Sequence, residues 1–219
     1  MLVHTREEID ELVRLLEECY PEPYCALTYA KDYELLFSAR LSAQCTDARV
    51  NTVTPVLFER YPTLQAFAQA DVSDVEKIIY SCGFYRTKAR DIVAAATMLL
   101  VEFSGVVPDK IEELLKLPGV GRKTANLILG DIHNKPAVVV DTHLIRISNR
   151  IGLVSTKDPV KIESELREIL PPEKSSDFCH RIVLHGRAIC SARKAKCDLC
   201  TLVLLCNMGS REGREVTSC

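Results

Sequence analysis

The chain has 219 residues, of which 47% are hydrophobic and 26% charged, the balance of a globular protein long enough for one or two cored domains. A formal net charge of -2 excludes a generally basic nucleic-acid coat, so any contact with DNA must come from local patches. The opening Met-Leu-Val-His-Thr-Arg-Glu-Glu carries no signal-peptide pattern, and no apolar run approaches the ~20 residues of a membrane span. The expectation is a cytoplasmic protein with no membrane partner, whose ten cysteines serve metal ligation or buried thiols rather than disulfides.

In chain order the segments read as helices. Thr5 and Glu8 are spaced as a capping box before Ile9, Leu12, Val13 and Leu16, which share one helical face. Pro21-Glu-Pro23 stops that helix and is a plausible domain crossing. Asp32 to Gln44 predicts a largely buried helix, and Thr46-Asp47 caps another that ends near Tyr61-Pro62. A short helix follows Thr63, Ser73-x-x-Glu76 opens the next, which ends at Gly83, and Thr87 to Phe103 repeats the amphipathic spacing. Asp109 and Glu112 form a second capping-box pattern. Asp141-Thr142 can cap a helix running to Arg150 with Gly152 as its stop, and Asp158-Pro159 starts one that Pro171-Pro172 ends. A last helix spans about Glu173 to Ile189. Val138-Val-Val140 is the one β-like run, too short to found a sheet. The fold class is all-α.

Leu117-Pro118-Gly119-Val120-Gly121-Arg122-Lys123 is the stretch with the most to say. Two glycines and a proline between helical segments force a sharp turn, giving helix, Gly-x-Gly hairpin, helix. Free amides at the positive end of the second helix make a phosphate seat indifferent to base identity. A plain connection between helices would satisfy this pattern too, but Lys123 would not. A cation in the first turn opposes the helix dipole and so suggests function. Such a lysine loses its proton more readily, as an amine nucleophile must.

Cys190, Cys197, Cys200 and Cys206 crowd four thiols into 17 residues, close enough to converge on one cluster or ion. Spacing alone does not separate a four-thiolate zinc site from an iron–sulfur cluster. Cys19, Cys25, Cys45, Cys82, Cys179 and Cys219 show no convergence and read as ordinary thiols. Arg193, Lys194 and Lys196 lie between the first two ligands with no acid among them, a pinned cationic loop suited to backbone phosphates.

The hairpin, Val-Asp141-Thr-His143 and the cysteines spaced 6, 2 and 5 together resemble the endonuclease III family of helix–hairpin–helix, iron–sulfur DNA glycosylases and AP lyases. Leu41-Ser-Ala-Gln44-x-Thr46-Asp47, Gly83-x-Tyr85-x-x-Lys88-Ala89 and Leu184-His185-Gly186-Arg187 follow in the family's order, so the resemblance covers nearly the whole chain. It implies two α-helical domains with DNA between them. One is a six-helix barrel over about residues 25–135 that holds the helix–hairpin–helix (about 109–130). The other joins 1–24 to 136–219 and holds a [4Fe–4S] cluster within 190–206, and here the resemblance is what favours iron–sulfur over zinc.

By the same resemblance Lys123 matches the catalytic lysine and Asp141 the catalytic aspartate. Gln44 matches the residue that fills the gap left by an extruded base, and Phe84 stands where an apolar wedge is often leucine. Gly119, Val120, Gly121 and Arg122 belong to the DNA-binding hairpin, while Cys45 stands where alanine is common. The implied activity is removal of oxidised pyrimidines from double-stranded DNA, followed by β-elimination at the abasic site through a Lys123 Schiff base. The implied protein is a monomer, associated with the nucleoid in a bacterium. Two other readings stay open: a sister adenine glycosylase without lyase chemistry, and a non-catalytic DNA-binding module that uses the hairpin as a phosphate clamp.

Overall fold

The computed structural model describes residues 4–209, and among these every regular element is helical. Two compact units emerge, Cys25–Asn134 in one and, in the other, the residues up to Tyr24 joined by those from Lys135 onward. No helix of the described residues is long and apolar enough to cross a membrane.

The Cys25–Asn134 unit is organised around α2 (Asp32–Ser42), whose Leu35, Leu36, Phe37, Ser38, Ala39 and Leu41 are all buried. Around it lie α3 (Asp47–Arg60), α6 (Tyr85–Glu102) and α8 (Arg122–Asp131). The short α4 (Leu64–Ala68) and α5 (Val72–Ile78) pack on α6, and α7 (Ile111–Leu114) packs on α8. Helix starts here are local events: Thr46 accepts the Arg49 amide and Thr63 the Ala66 amide, each satisfying a donor the helix cannot. Phe67 of α4 is fully buried, with Phe37 edge-on at 4.9 Å and Tyr61 at 5.3 Å, so a five-residue helix is held by aromatic packing rather than by its own length.

In the other unit α1 (Arg6–Cys19) carries the expected capping box, Thr5 and Glu8 each bonding the other's backbone amide. Its buried Ile9, Leu12, Val13 and Leu16 form the face that meets α11 (Ser175–Ala188). Helix α9 (Thr142–Ile151) crosses α11 at Gly186, where a Cβ would stand 2.3 Å from Nδ1 of His143. Only glycine allows that approach. Helix α10 (Pro159–Ile169) starts as expected, with Asp158 accepting the Val160 amide and proline in the first turn.

The structure corrects several boundaries. Helix α5 is opened by Asp71, which accepts the Ser73 amide, and not by Ser73. The Asp109–Glu112 box does not form: Lys110 is the N-cap and α7 is a single turn, since a proline at 118 disfavours helical backbone at Leu117 and leaves no room for more. Helix α6 begins at Tyr85, and a 3-10 turn over Pro172–Lys174 precedes α11. Residues 138–140 form no strand. That buried segment satisfies amides with α11 side chains instead, Ala137 on Ser175 Oγ at 3.1 Å and Val139 on Cys179 Sγ at 3.3 Å.

Candidate functional site

The hairpin between α7 and α8 is shaped by Gly119, whose φ of +76° is a left-handed conformation open chiefly to glycine. A Cβ there would also meet Nε of Arg40 at 2.5 Å and Oδ2 of Asp91 at 2.8 Å. Arg40 and Asp91 are themselves ion-paired, with Nη2 to Oδ2 at 2.6 Å and Nε to Oδ2 at 2.7 Å, and both are mostly buried. This pair forms the wall against which the turn is seated. Gly119→Ala is therefore expected to lose ~1–2 kcal/mol from the left-handed backbone alone, and more because the wall must move. A melting temperature within 1–2 °C of wild type, where ~1 kcal/mol shifts a small domain by several degrees, would refute this account of the turn.

Gly121 is the N-cap of α8 and, as glycine, brings no side chain to the helix start. The first turn of a helix leaves amides without intrahelical partners, which is the setting an anion uses. A Cβ on Gly121 would meet nothing within 4 Å, so this face is open. Val120 is half-buried, its amide bonded back to Leu117, and Arg122 and Lys123 are exposed in the first turn of α8.

Two further loops of the same unit are placed together. Gln44 follows α2 at φ +54°, and Phe84 precedes α6 at φ +58°; both are exposed, Phe84 at 65%. A Cβ on Gly83 would lie 3.6 Å from the Gln44 carbonyl oxygen. Left-handed backbone at non-glycine residues costs energy and is held only where the surroundings dictate it. Here the surroundings include Lys88, wholly buried, whose Nζ donates to the Leu41 and Ala43 carbonyls at 2.7 and 2.8 Å. Its backbone amide bonds the Phe84 carbonyl at 3.1 Å. One lysine thus ties the end of α2 to the start of α6. Burial holds its pKa below the ordinary lysine value.

In the other unit Asp141 is the N-cap of α9, with Oδ1 accepting the Leu144 amide at 2.7 Å. Oδ2 makes no hydrogen bond among the described residues. The cap commits one oxygen and leaves the second for chemistry, so capping and catalysis are compatible.

All four cysteines of the quartet line one cavity of about 330 Å³, counting the space at its mouth, together with His185, Ile189, Val203 and Met208. Burial pushes the Cys200 thiol up to about 11 and that of Cys206 upward, and the neighbouring thiols add to both. Ionised together, the four would need a cation between them. Arg150 of α9 braces the loop: Nη1 donates to Cys190 Sγ at 3.2 Å and to the Ser191 carbonyl at 2.7 Å, while its own carbonyl accepts from Cys206 Sγ at 3.3 Å. His185, its pKa lowered to about 4 by burial, stands neutral 3.6 Å from Cys200 Sγ. No three His, Cys, Asp or Glu side chains among the described residues are grouped to hold a single metal ion.

Between Cys190 and Cys197 the side chains of Arg193 and Lys194 are exposed. Lys196 is exposed as well, but its ammonium donates to the Ala188 carbonyl at the end of α11, 3.1 Å away. Among the other cysteines, Cys25, Cys45, Cys82 and Cys179 form no disulfide. Cys19 is disulfide-bonded, against the expectation of a free thiol, and Cys219 lies outside the described residues. Arg40, Asp91, Lys88 and Arg150 were not foreseen as site residues. Nothing local marks them, because a charged residue on a helix reads first as solvated.

An all-helical chain with a Gly-x-Gly hairpin opening an uncapped helix, and a cysteine-lined cavity near its other end, defines a helix–hairpin–helix protein of the DNA-repair type. The chain belongs to the HhH-GPD superfamily of base excision DNA repair proteins, whose sequence profile matches residues 37–172, and within it to the endonuclease III family. It is 45% identical to the endonuclease III of Synechocystis sp. over 202 residues, 92% of each chain. With that of Rickettsia felis it shares 38% over 198 residues, 90% of this chain and 93% of the other. A solved structure of a trapped endonuclease III–DNA covalent intermediate, an estranged-adenine complex, superposes with a TM-score of 0.89 at 39% identity, covering 97% of this chain and all of that one.

Proposed function

We propose that this protein is a bifunctional DNA glycosylase and AP lyase of base excision repair, acting as a monomer on oxidised pyrimidines and abasic sites in duplex DNA. The observation that carries this is the match of nearly the whole chain to an endonuclease III trapped covalently on DNA, in a protein with an exposed lysine at the second position of α8. The two compact units are read as the family's barrel domain and its cluster-bearing domain.

A damaged base is out of reach inside the stack, so the nucleotide is extruded at a cost of a few kcal/mol, least for a lesion. The amides of Gly119, Gly121 and Arg122, in a hairpin that Val120 closes with its own amide on the Leu117 carbonyl, and the side chains of Arg193, Lys194 and Lys196 hold backbone phosphates. Gln44 fills the vacated space and Phe84 stacks into the opened step. The free amine of Lys123 attacks C1′ and the base departs, leaving a Schiff base between Nζ and the sugar. Loss of a C2′ proton then breaks the 3′ C–O bond by β-elimination. Asp141 stabilises positive charge developing on the sugar and helps transfer the proton.

Cys190, Cys197, Cys200 and Cys206 are read as the ligands of a [4Fe–4S] cluster. A tetrahedral zinc needs all its sulfurs ~2.3 Å from one point, whereas a four-iron cluster gives each thiolate its own iron and suits four cysteines spread around a cavity. Bound there, the cluster would order residues 190–206 and offset the charge of the thiolates. The same loop makes the phosphate-holding role testable. Arg193→Ala and Lys194→Ala are each expected to weaken binding to every duplex alike and to lower the salt slope by about 1 for each phosphate no longer neutralised. Dependence of the weakening on the lesion would make the loop a specificity element.

The deciding assay offers duplexes with thymine glycol, an abasic site, or adenine opposite 8-oxoguanine. Excision and strand cleavage on the first two are expected. Adenine release without cleavage would make the protein an adenine glycosylase, and binding with no excision would make it a non-catalytic clamp.

A further inference from the structure

Gln44 and Phe84 each stand where local rules call for a different residue. Gln44 follows the C-cap of α2 at φ +54°, a place that helix ends usually give to glycine. Phe84 is the N-cap of α6 at φ +58° and offers no side-chain cap, where Ser, Thr, Asp or Asn would lie extended and accept an amide. Left-handed backbone under a large side chain costs stability at both places, which points to a use for the side chains themselves. One residue braces both. Lys88 Nζ donates to the Leu41 and Ala43 carbonyls at 2.7 and 2.8 Å, acceptors that the end of α2 leaves open. The Ala43 carbonyl belongs to the peptide unit that enters Gln44. The ammonium also lies at the negative end of the α2 dipole, where a cation is stabilised. The backbone amide of the same lysine bonds the Phe84 carbonyl at 3.1 Å, in the peptide unit that leaves Phe84.

We propose that Lys88 is a positioning residue for lesion extrusion: its ammonium and its amide set the backbone of Gln44 and Phe84 as one unit, so the two side chains meet the duplex together. Lys88 is wholly buried and acts through them without touching DNA. The proposal rests on the reading that Gln44 and Phe84 enter the duplex. It requires that disturbing Lys88 impair the same step as removing the two side chains. Once they are gone, Lys88 has nothing left to act through.

The test follows a duplex carrying thymine glycol beside 2-aminopurine, whose fluorescence rises as the stack opens, in single turnover. Borohydride trapping on abasic DNA counts the active fraction of each protein. Lys88→Met is close to lysine in length but has no donors. It is expected to slow the rise about tenfold, the scale of carbonyls left without their donors, and to quicken amide exchange over 43–45 and 84–88. Gln44→Ala with Phe84→Ala should slow the rise as well, and adding Lys88→Met to that pair should change it by no more than about twofold. A further tenfold loss would make Lys88 a stabiliser of the fold alone and overturn the proposal, as would an unchanged rise in Lys88→Met. Lys88→Gln, which keeps N–H donors on a reach one bond shorter, is read the same way where Lys88→Met does not fold. If exchange quickens in Lys88→Met but the Gln44→Ala, Phe84→Ala protein opens the stack normally, the DNA reading of these loops fails and the effect on extrusion with it, while the brace itself stands.

Discussion

Lys123→Gln is expected to abolish borohydride trapping of the protein on abasic DNA and to remove strand cleavage, while binding to the same duplex largely survives. Glutamine is a polar side chain, one bond shorter, that has no nucleophilic nitrogen, so the covalent step is what is lost. A phosphate-holding role predicts the opposite pattern, since it uses the charged ammonium and its removal would weaken binding first. The side chain is exposed and the helix behind it is held by the buried run Ala125–Gly130, so the variant has no packing reason to unfold. The loss expected for a missing nucleophile is at least ~10³-fold in the cleavage rate. Asp141→Asn should slow base release and elimination together and keep the fold, because an amide oxygen can still cap α9. Cleavage by β-elimination in Lys123→Gln would assign the chemistry to another amine.

The second large effect concerns the cysteine quartet. Purified protein is expected to be brown, with broad absorption towards the blue end of the visible range, and Cys200→Ala should lose that colour. The consequence for order follows from how little else holds the segment. Between Cys190 and Cys206 the regular structure amounts to two single 3-10 turns, Cys197–Leu199 and Val203–Leu205. Ligation free energy, on the order of 10 kcal/mol for structural metal sites, then acts as folding free energy for those residues. Amide exchange over 190–206 should rise steeply in Cys200→Ala, with α2 in the other unit still protected. A colourless wild-type protein with one tightly bound zinc per chain would refute the cluster, and unchanged protection in the variant would refute its structural role.

Much of the site could be read from the sequence, but for a restricted reason. Thr5, Thr46, Thr63, Asp141 and Asp158 start helices by accepting amides two or three residues onward. Such bonds are worth ~1 kcal/mol within one turn of chain, so the residues that decide them are adjacent. The Gly-x-Gly hairpin and the four closely spaced cysteines are legible on the same terms. Where two local signals competed, as at Asp71 and Ser73 or at Asp109 and Lys110, the pattern alone chose wrongly.

What the sequence by itself determined is therefore the helical class, most helix starts, the hairpin with Lys123 at its exit, and the grouping of the quartet. Only the tertiary structure decided that Arg40 and Asp91 wall in Gly119, that Arg150 braces Cys190, and that Lys88 lies wholly buried between two carbonyls. It likewise decided the left-handed backbone at Gln44 and Phe84. Each of these joins residues across tens of positions, and the cost of desolvating a charge or straining a backbone is offset by a partner on another helix. No neighbour in the chain carries that information, because the compensating group arrives only when the helices pack.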